Sequence, residues 1–115
     1  MTDAVRCLFC RIVAGEIPAT LVGESPEAVA FRDLTPQAPV HLLIIPRLHV
    51  VSLNDPDAAR VLGPMASLAR ELAEREGFAE AGYRAVMNTN GDGGQSVFHL
   101  HMHILAGRPL KWPPG

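Results

Sequence analysis

The alternation of hydrophobic and polar residues predicts an α+β domain with one antiparallel sheet. Five segments have the length and residue types of strands: residues 20–24, 28–32, 41–45, 83–88 and 99–106. The first two flank Ser25-Pro26-Glu27, a plausible hairpin turn. Residues 7–14 fit a short helix with Gly15 as its C-cap. The pattern therefore predicts five strands and a short helix near the N-terminus.

One long amphipathic helix is predicted between the third and fourth strands. Apolar residues recur there at three- and four-residue steps from Pro56 to about Gly77, and Asn54 or Asp55 can serve as the N-cap. Gly63-Pro64 lies inside the repeat, and proline removes a backbone hydrogen bond. We therefore expect a kink there, or a helix whose regular part starts later.

Size and composition exclude several classes of protein. A chain of 115 residues, 48% hydrophobic, fits one domain over residues 1–115. A net charge of −2 provides no basic field for a nucleic-acid backbone. No window has the length of a membrane span, and the start lacks a signal-peptide pattern. We expect a cytoplasmic protein that binds neither nucleic acid nor membranes.

The histidines carry the clearest chemical signal. Three of the five in the chain form the run His99, His101 and His103, which alternates with apolar residues. On a strand these three point to one face, and crowding with partial burial should keep most of them neutral. A neutral imidazole is a nucleophile. The alternatives are a polar strand face that is merely rich in histidine, or a three-histidine catalytic zinc site.

A glycine-rich stretch precedes the histidine run and offers a place for an anion. Residues 91–96, Gly-Asp-Gly-Gly-Gln-Ser, allow close backbone approach and supply N–H groups and a hydroxyl. Taken alone, such a stretch is more often an ordinary turn. Its attachment to the histidines favours phosphate binding, and together they predict attack at phosphorus through a phosphohistidine-type intermediate without a metal.

The residues 99–105, His-Leu-His-Met-His-Ile-Leu, resemble the histidine triad (HIT) signature. Residues 33–39, 41–46, 93–97, Asn88 and the terminal Trp-Pro-Pro-Gly extend the resemblance to the Hint branch over nearly the whole chain. The resemblance implies a homodimer whose two five-stranded sheets join, with a tail of about 107–115 reaching toward the partner. It implies purine nucleoside phosphoramidase or nucleotidyl-transfer activity. The alternatives are dinucleoside polyphosphate hydrolysis and a nucleotide-binding or protein-interaction module.

The resemblance also assigns roles to individual residues. It makes His101 the nucleophile at the α-phosphorus, with His103 and Ser96 near the phosphate or leaving group, and His41 orienting or relaying protons. Asp33 would hold the ribose hydroxyls. The other implied nucleotide-binding residues are the apolar Leu8, Phe9, Ile12, Ile17, Phe31 and Leu34 around the base, together with Asn88, Gly94, Gln95, Val97 and Trp112. For Leu8, Ile12 and Ile17, simple core packing is an equal alternative.

A cysteine pair suggests a metal site separate from catalysis. Cys7 and Cys10 have the spacing of half a tetrahedral zinc site. The resemblance completes it with His49 and His99, which gives a structural Cys2His2 site and leaves catalysis without a cofactor. The alternative is two reduced thiols, and a redox pair is disfavoured because no strand precedes it. Arg32, Pro64 and Ala106 depart from the Hint pattern without removing a triad histidine.

Overall fold

The computed structural model describes residues 6–115, so the first five residues of the predicted domain and N-terminal segment lie outside it. One antiparallel sheet has the strand order β1-β2-β3-β5-β4. The predicted α+β architecture is confirmed. The elements in chain order are α1 (Leu8–Val13), β1 (Leu21–Glu24), β2 (Ala28–Arg32), β3 (Val40–Pro46), α2 (Ala58–Glu76), β4 (Arg84–Val86), α3 (Asn90–Gly93) and β5 (Met102–Ala106).

The two faces of the sheet have different partners because side chains alternate along each strand. One face packs against α2 and forms the larger core, which includes Leu42, Ile44, Met65, Leu68 and Leu72. The opposite face packs against α1 in a smaller cluster, formed by Phe9, Val29, Phe31, Leu43 and Ile45. His41 and His103 have the same strand parity as this smaller cluster. The chemistry therefore lies on the α1 side of the sheet.

The boundaries of α2 differ from the prediction at its start. The helix begins at Ala58, and its N-cap Asp57 makes no side-chain capping bond. Asp55 instead accepts hydrogen bonds from Val51 N and Asp57 N in the preceding turn, so the predicted start at Pro56 is wrong by two residues. The helix continues through Pro64 and ends at Gly77, whose φ of 83° confirms the predicted C-terminus.

The predicted strand over residues 99–106 begins only at Met102. The ladder between β3 and β5 stops at the pair Ile44–Met102. Before it, Leu100 N donates to Val50 O at 2.6 Å, and the His99 carbonyl accepts from the His101 ring. Of the three histidines, only His103 is therefore in the strand. The alternation of faces still extends to the residues before it, since Leu100 and Met102 are both buried in the core against α2.

The fourth strand and the glycine-rich stretch also depart from the prediction. β4 spans only Arg84–Val86, shorter than the predicted 83–88. It lies at the edge of the sheet and pairs with β5 alone. The predicted loop over residues 89–96 contains the single helical turn α3, closed by Gly94 at a φ of 83°. None of the helices in residues 6–115 has both the length and the apolarity to span a bilayer.

Candidate active site

His101 lies immediately before β5 and is buried, with 6% of its surface exposed. Its Nδ1 is 2.8 Å from the His99 carbonyl oxygen. Because a carbonyl oxygen only accepts, Nδ1 carries the hydrogen and Nε2 keeps its lone pair. The Phe9 ring meets the imidazole edge to face, with centroids 5.1 Å apart. The geometry thus fixes both the orientation and the tautomer that a nucleophile at Nε2 requires.

His41 and His103 form a hydrogen-bonded pair beside His101. They are diagonal neighbours on β3 and β5, since His41 is paired with Leu105 and His103 with Leu43. The distance from His41 Nε2 to His103 Nδ1 is 2.9 Å. The His103 ring centroid is 5.1 Å from that of His101. His41 is therefore brought from a distant part of the sequence into one contiguous group with His101 and His103.

Burial keeps His103 uncharged near neutral pH. Desolvation, with smaller contributions from the neighbouring His101 and His41, lowers the pKa of His103 from 6.5 to about 4, while Asp33 opposes them. At pH 7 the ring is therefore a neutral imidazole with one donor and one acceptor nitrogen. This matches the expectation that crowding and burial hold triad histidines in the neutral form.

An apolar cleft of about 210 Å³ opens next to the histidines, between α1 and β2. We call it the base cleft. Its lining includes all seven residues that the resemblance assigned to the base and ribose: Leu8, Phe9, Ile12, Ile17, Phe31, Asp33 and Leu34. Leu34 is 96% exposed and so belongs to its rim. Sequence reasoning missed Thr20 and Leu43, which also line the cleft but have no distinguishing pattern.

Asp33 connects the base cleft to the histidine pair. One carboxylate oxygen accepts from Thr35 N at 2.7 Å, which fixes the side chain in a tight turn. The other lies 3.4 Å from His41 Nε2. The Asp33 carboxylate thus lies between the base cleft and His41. A polar group of a ligand bound next to it would be close to both.

A second cavity of about 500 Å³ lies beside the pair, and we call it the polar cavity after the polar side chains in its wall. His41 and His103 form part of its wall, together with Asn88 of the predicted phosphate site. Gly93 of the predicted glycine-rich stretch and Pro114 and Gly115 of the predicted tail also line it. Sequence reasoning did not single out the polar side chains of Gln37 and Arg84, which complete the wall. The histidine pair therefore faces this cavity, and Asp33 connects the pair to the base cleft.

The predicted phosphate-binding residues 94–97 have surroundings different from those of Asn88. The Gln95 amide is buried within its loop, where it accepts from Asn90 N at 2.9 Å and donates to Val51 O at 2.8 Å. Its side chain holds the loop in shape rather than offering free donors. Ser96 and Val97 instead line a third cavity beside α1. Gly94 contributes the positive φ that closes α3.

Trp112 lies apart from the base cleft and the polar cavity. It is 80% exposed, and its ring faces the Arg84 guanidinium at 6.0 Å on the opposite sheet edge from β1. Arg84 also donates to Lys111 O at 2.9 Å, which holds the tail against β4. Within this chain the structure therefore does not bring Trp112 to the other predicted nucleotide-binding residues.

Cys7, Cys10, His49 and His99 come together close enough to bind a metal ion, with their ligand atoms within 4.8 Å of one another. Cys10 Sγ lies 3.1 Å from His49 Nδ1, and Cys7 Sγ lies 3.4 Å from His99 Nδ1. His99 Nε2 donates to Pro46 O at 2.8 Å, so its Nδ1 lone pair faces the sulfurs. Two thiols and two imidazoles are the donor set that zinc prefers.

Burial affects the protonation of this group in the absence of a metal. Burial, together with the hydrogen bond and the charge interaction with Cys7, raises the pKa of the Cys10 thiol to about 11. It also lowers the pKa of His99 to about 4, so this imidazole is neutral at pH 7. A metal ion would therefore displace a thiol proton at Cys10 but meet His99 already in its ligand form.

Comparison with known proteins decides the family. The HIT domain pattern matches residues 14–110, which is most of the chain. The chain belongs to the HIT domain family. The purine nucleoside phosphoramidase of Escherichia coli K12 is 49% identical over 109 residues, covering 93% of this chain and 92% of that protein.

Solved structures confirm the HIT fold. A HIT family hydrolase from Legionella pneumophila is 52% identical and has a TM-score of 0.90, covering 95% of this chain and 99% of that one. A histidine triad protein from Clostridium difficile is 42% identical with a TM-score of 0.89, covering 92% and 94%. The predicted HIT resemblance is therefore confirmed, together with its five-stranded sheet.

Proposed function

We propose that this HIT protein is a hydrolase that cleaves purine nucleoside 5′-phosphoramidates. The observation that carries the proposal is the fixed tautomer of His101, whose ring lies beside the hydrogen-bonded pair of His41 and His103 and against Phe9 of the base cleft. The Escherichia coli relative, named a purine nucleoside phosphoramidase, supports the same substrate class.

The base cleft would take the purine, and its lining would provide apolar surface on both sides of the ring. Asp33 would accept hydrogen bonds from the ribose hydroxyls at the inner end. Asn88, Gly94, Ser96 and Val97 would contact the phosphate, whereas Gln95 would act by holding their loop. His103, on the wall of the polar cavity, would then lie on the leaving-group side.

The reaction would proceed in two displacements at phosphorus. His101 Nε2 attacks the α-phosphorus, the P–N bond breaks, and the leaving nitrogen takes up a proton and departs as an amine. We assign the passage of that proton from solvent to His103 or the exposed Ser96. Water then attacks the nucleotidyl-His101 adduct, which releases the nucleoside 5′-monophosphate and restores the imidazole.

The test is turnover of adenosine 5′-phosphoramidate by His101→Asn. We expect a loss of about 10³-fold or more in kcat, because the nucleophile is removed while the site keeps its size. Arg60→Ala, an exposed change on α2, serves as the control and should behave as the unsubstituted protein. Equal turnover by His101→Asn and the control would refute the proposal.

We further propose that the four-residue cluster holds a structural zinc ion. Zinc would tie α1, which carries Phe9 and Leu8 of the base cleft, to the segment before β5. Ligation by His99 Nδ1 would leave the contact from its carbonyl to His101 intact. The ion would supply rigidity and no step of the reaction. Retention of two thiolate ligands suits a reducing compartment such as the cytoplasm.

A homodimer is the assembly we infer. β4 is an edge strand, and antiparallel pairing of two β4 strands would join two sheets into one. The tail of about 107–115, held along β4 by Arg84, would then lie near the partner. This gives exposed Trp112 a place against the second copy. A monomeric mass in solution at micromolar concentration would contradict it.

A further inference from the structure

The loop between β2 and β3 directs one backbone N–H at His41. Two of its residues, Pro36 and Pro39, have no N–H to donate. Gln37 N lies 3.0 Å from His41 Nδ1 and donates to it. The loop is held in place around this contact, because the Gln37 carbonyl accepts from Arg108 at 2.9 Å.

This contact determines the tautomer of His41. A backbone N–H donates and never accepts, so Nδ1 must present its lone pair to Gln37. The single hydrogen of the neutral ring is then on Nε2. A second observation agrees, since Nε2 faces the Asp33 carboxylate at 3.4 Å, which would repel a lone pair there.

The tautomer of His41 in turn sets that of His103. His41 Nε2–H donates to His103 Nδ1 at 2.9 Å, so His103 accepts at Nδ1 and carries its own hydrogen on Nε2. Burial lowers the pKa of His103 to about 4, which keeps this ring neutral and makes the order of donors unambiguous. The result is a chain of donors that runs in one direction from Gln37 to the wall of the polar cavity.

We propose that the Gln37 backbone amide is a positioning group that locks His41 and His103 in the tautomers that present an N–H at His103 Nε2. The inference rests on the proposed function, in which that N–H donates to a phosphoryl oxygen or to the leaving nitrogen as charge develops. In the opposite tautomers, His103 Nε2 would present a lone pair to the phosphate and repel it.

The fixed tautomer of His41 also affects whether Asp33, His41 and His103 can bind a metal ion. Their ligand atoms lie within 4.8 Å of one another. A histidine binds a metal through a nitrogen without hydrogen. His41 Nε2 is protonated because Gln37 occupies Nδ1, so this set of residues disfavours a cation. The same backbone contact thus provides a donor for substrate and withholds a ligand from metal ions.

The direct test is the pair Gln37→Pro and Gln37→Ala, assayed with adenosine 5′-phosphoramidate. Proline removes the N–H, whereas alanine keeps it and removes only the side chain, which donates to Thr35 O. Loss of one preorganised donor typically lowers kcat by about 10²-fold to 10³-fold. We expect that loss in Gln37→Pro with KM changed less than about threefold, and a much smaller change in Gln37→Ala. Equal losses in the two variants would overturn the proposal.

Histidine ring ¹⁵N NMR of the unsubstituted protein reads the tautomers directly and does not require turnover or a folded proline variant. We expect a protonated Nε2 and an unprotonated Nδ1 at His41, and the same pattern at His103. A protonated Nδ1 at His41 would refute the lock even if the enzyme is active. Absence of phosphoramidate turnover with the expected spectrum would instead refute the proposed function and leave the tautomer assignment standing.

Discussion

Replacing Phe9 with alanine tests the link between packing and chemistry. Phe9 is 4% exposed, and its ring lies edge to face against Phe31, His99 and His101, with centroids 5.6, 5.9 and 5.1 Å away. Truncation of a fully buried phenylalanine costs about 3–5 kcal/mol, of roughly 5–15 kcal/mol that holds a domain folded. We expect Phe9→Ala to fall in that range, because the sheet below the ring cannot collapse into the space.

The assay is thermal unfolding followed by kinetics below the transition. At about 4 °C per kcal/mol, the midpoint should fall by roughly 12–20 °C. At a temperature where the variant is folded, KM should rise because the base cleft loses a wall, and kcat should fall because His101 loses its neighbour. Phe98→Ala is the matched control, since Phe98 is 52% exposed and should cost less than about 0.5 kcal/mol. A cost below about 1 kcal/mol for Phe9→Ala, or equal costs for both, would refute the reasoning.

Three further outcomes follow from the structure. Because burial lowers the pKa of His103 to about 4, the unfolded chain binds this proton more tightly, so His103 should lower the free energy of unfolding as pH drops from about 6.5 to 4. Urea unfolding across that window measures the slope. His103→Gln should reduce the slope without abolishing it, because burial also lowers the pKa of His99 to about 4. Cys7→Ser should lower bound zinc, measured by elemental analysis, and lower the melting temperature; unchanged zinc would contradict the ligand assignment. Gly107→Ala should lower the free energy of unfolding by about 2 kcal/mol, since φ is 95° and a Cβ would meet Pro39 Cβ at 2.8 Å. Gly63→Ala, on the open surface of α2, should instead raise it by about 0.5–1 kcal/mol. Destabilisation by both changes would refute the contrast.

The parts of the fold that local pattern determines were predictable. β2 matches its predicted bounds because it alternates between two cores, and α2 ends at Gly77 because a left-handed residue must end it. The start of β5 was not predictable, since His99 has strand-forming neighbours but its carbonyl is taken by the His101 ring. The next residue, Leu100, donates its backbone N–H to Val50 O, and this tertiary contact leaves no trace in residue type.

In the candidate site, too, some residues could be predicted from the sequence and others could not. The histidine run and the cysteine pair stand out by residue type, and the lining of the base cleft came from the family resemblance rather than from periodicity. Gln37 had no signal at all, because it acts through a backbone N–H that almost every residue has. Only the spacing of the two prolines around it sets it apart, and that spacing has meaning only once His41 is placed opposite.

The cluster of Cys7, Cys10, His49 and His99 joins residues from opposite ends of the chain, and this determines when the cluster can form during synthesis. Cys7 and His99 are 92 residues apart. At about 5–20 residues per second, translation leaves the two thiols without their last partner for roughly 5–20 s. During that interval the two thiols are without the imidazole of His99. Correct assembly of the cluster is therefore a late event in biogenesis, and it depends on how well the surrounding solution protects free thiols.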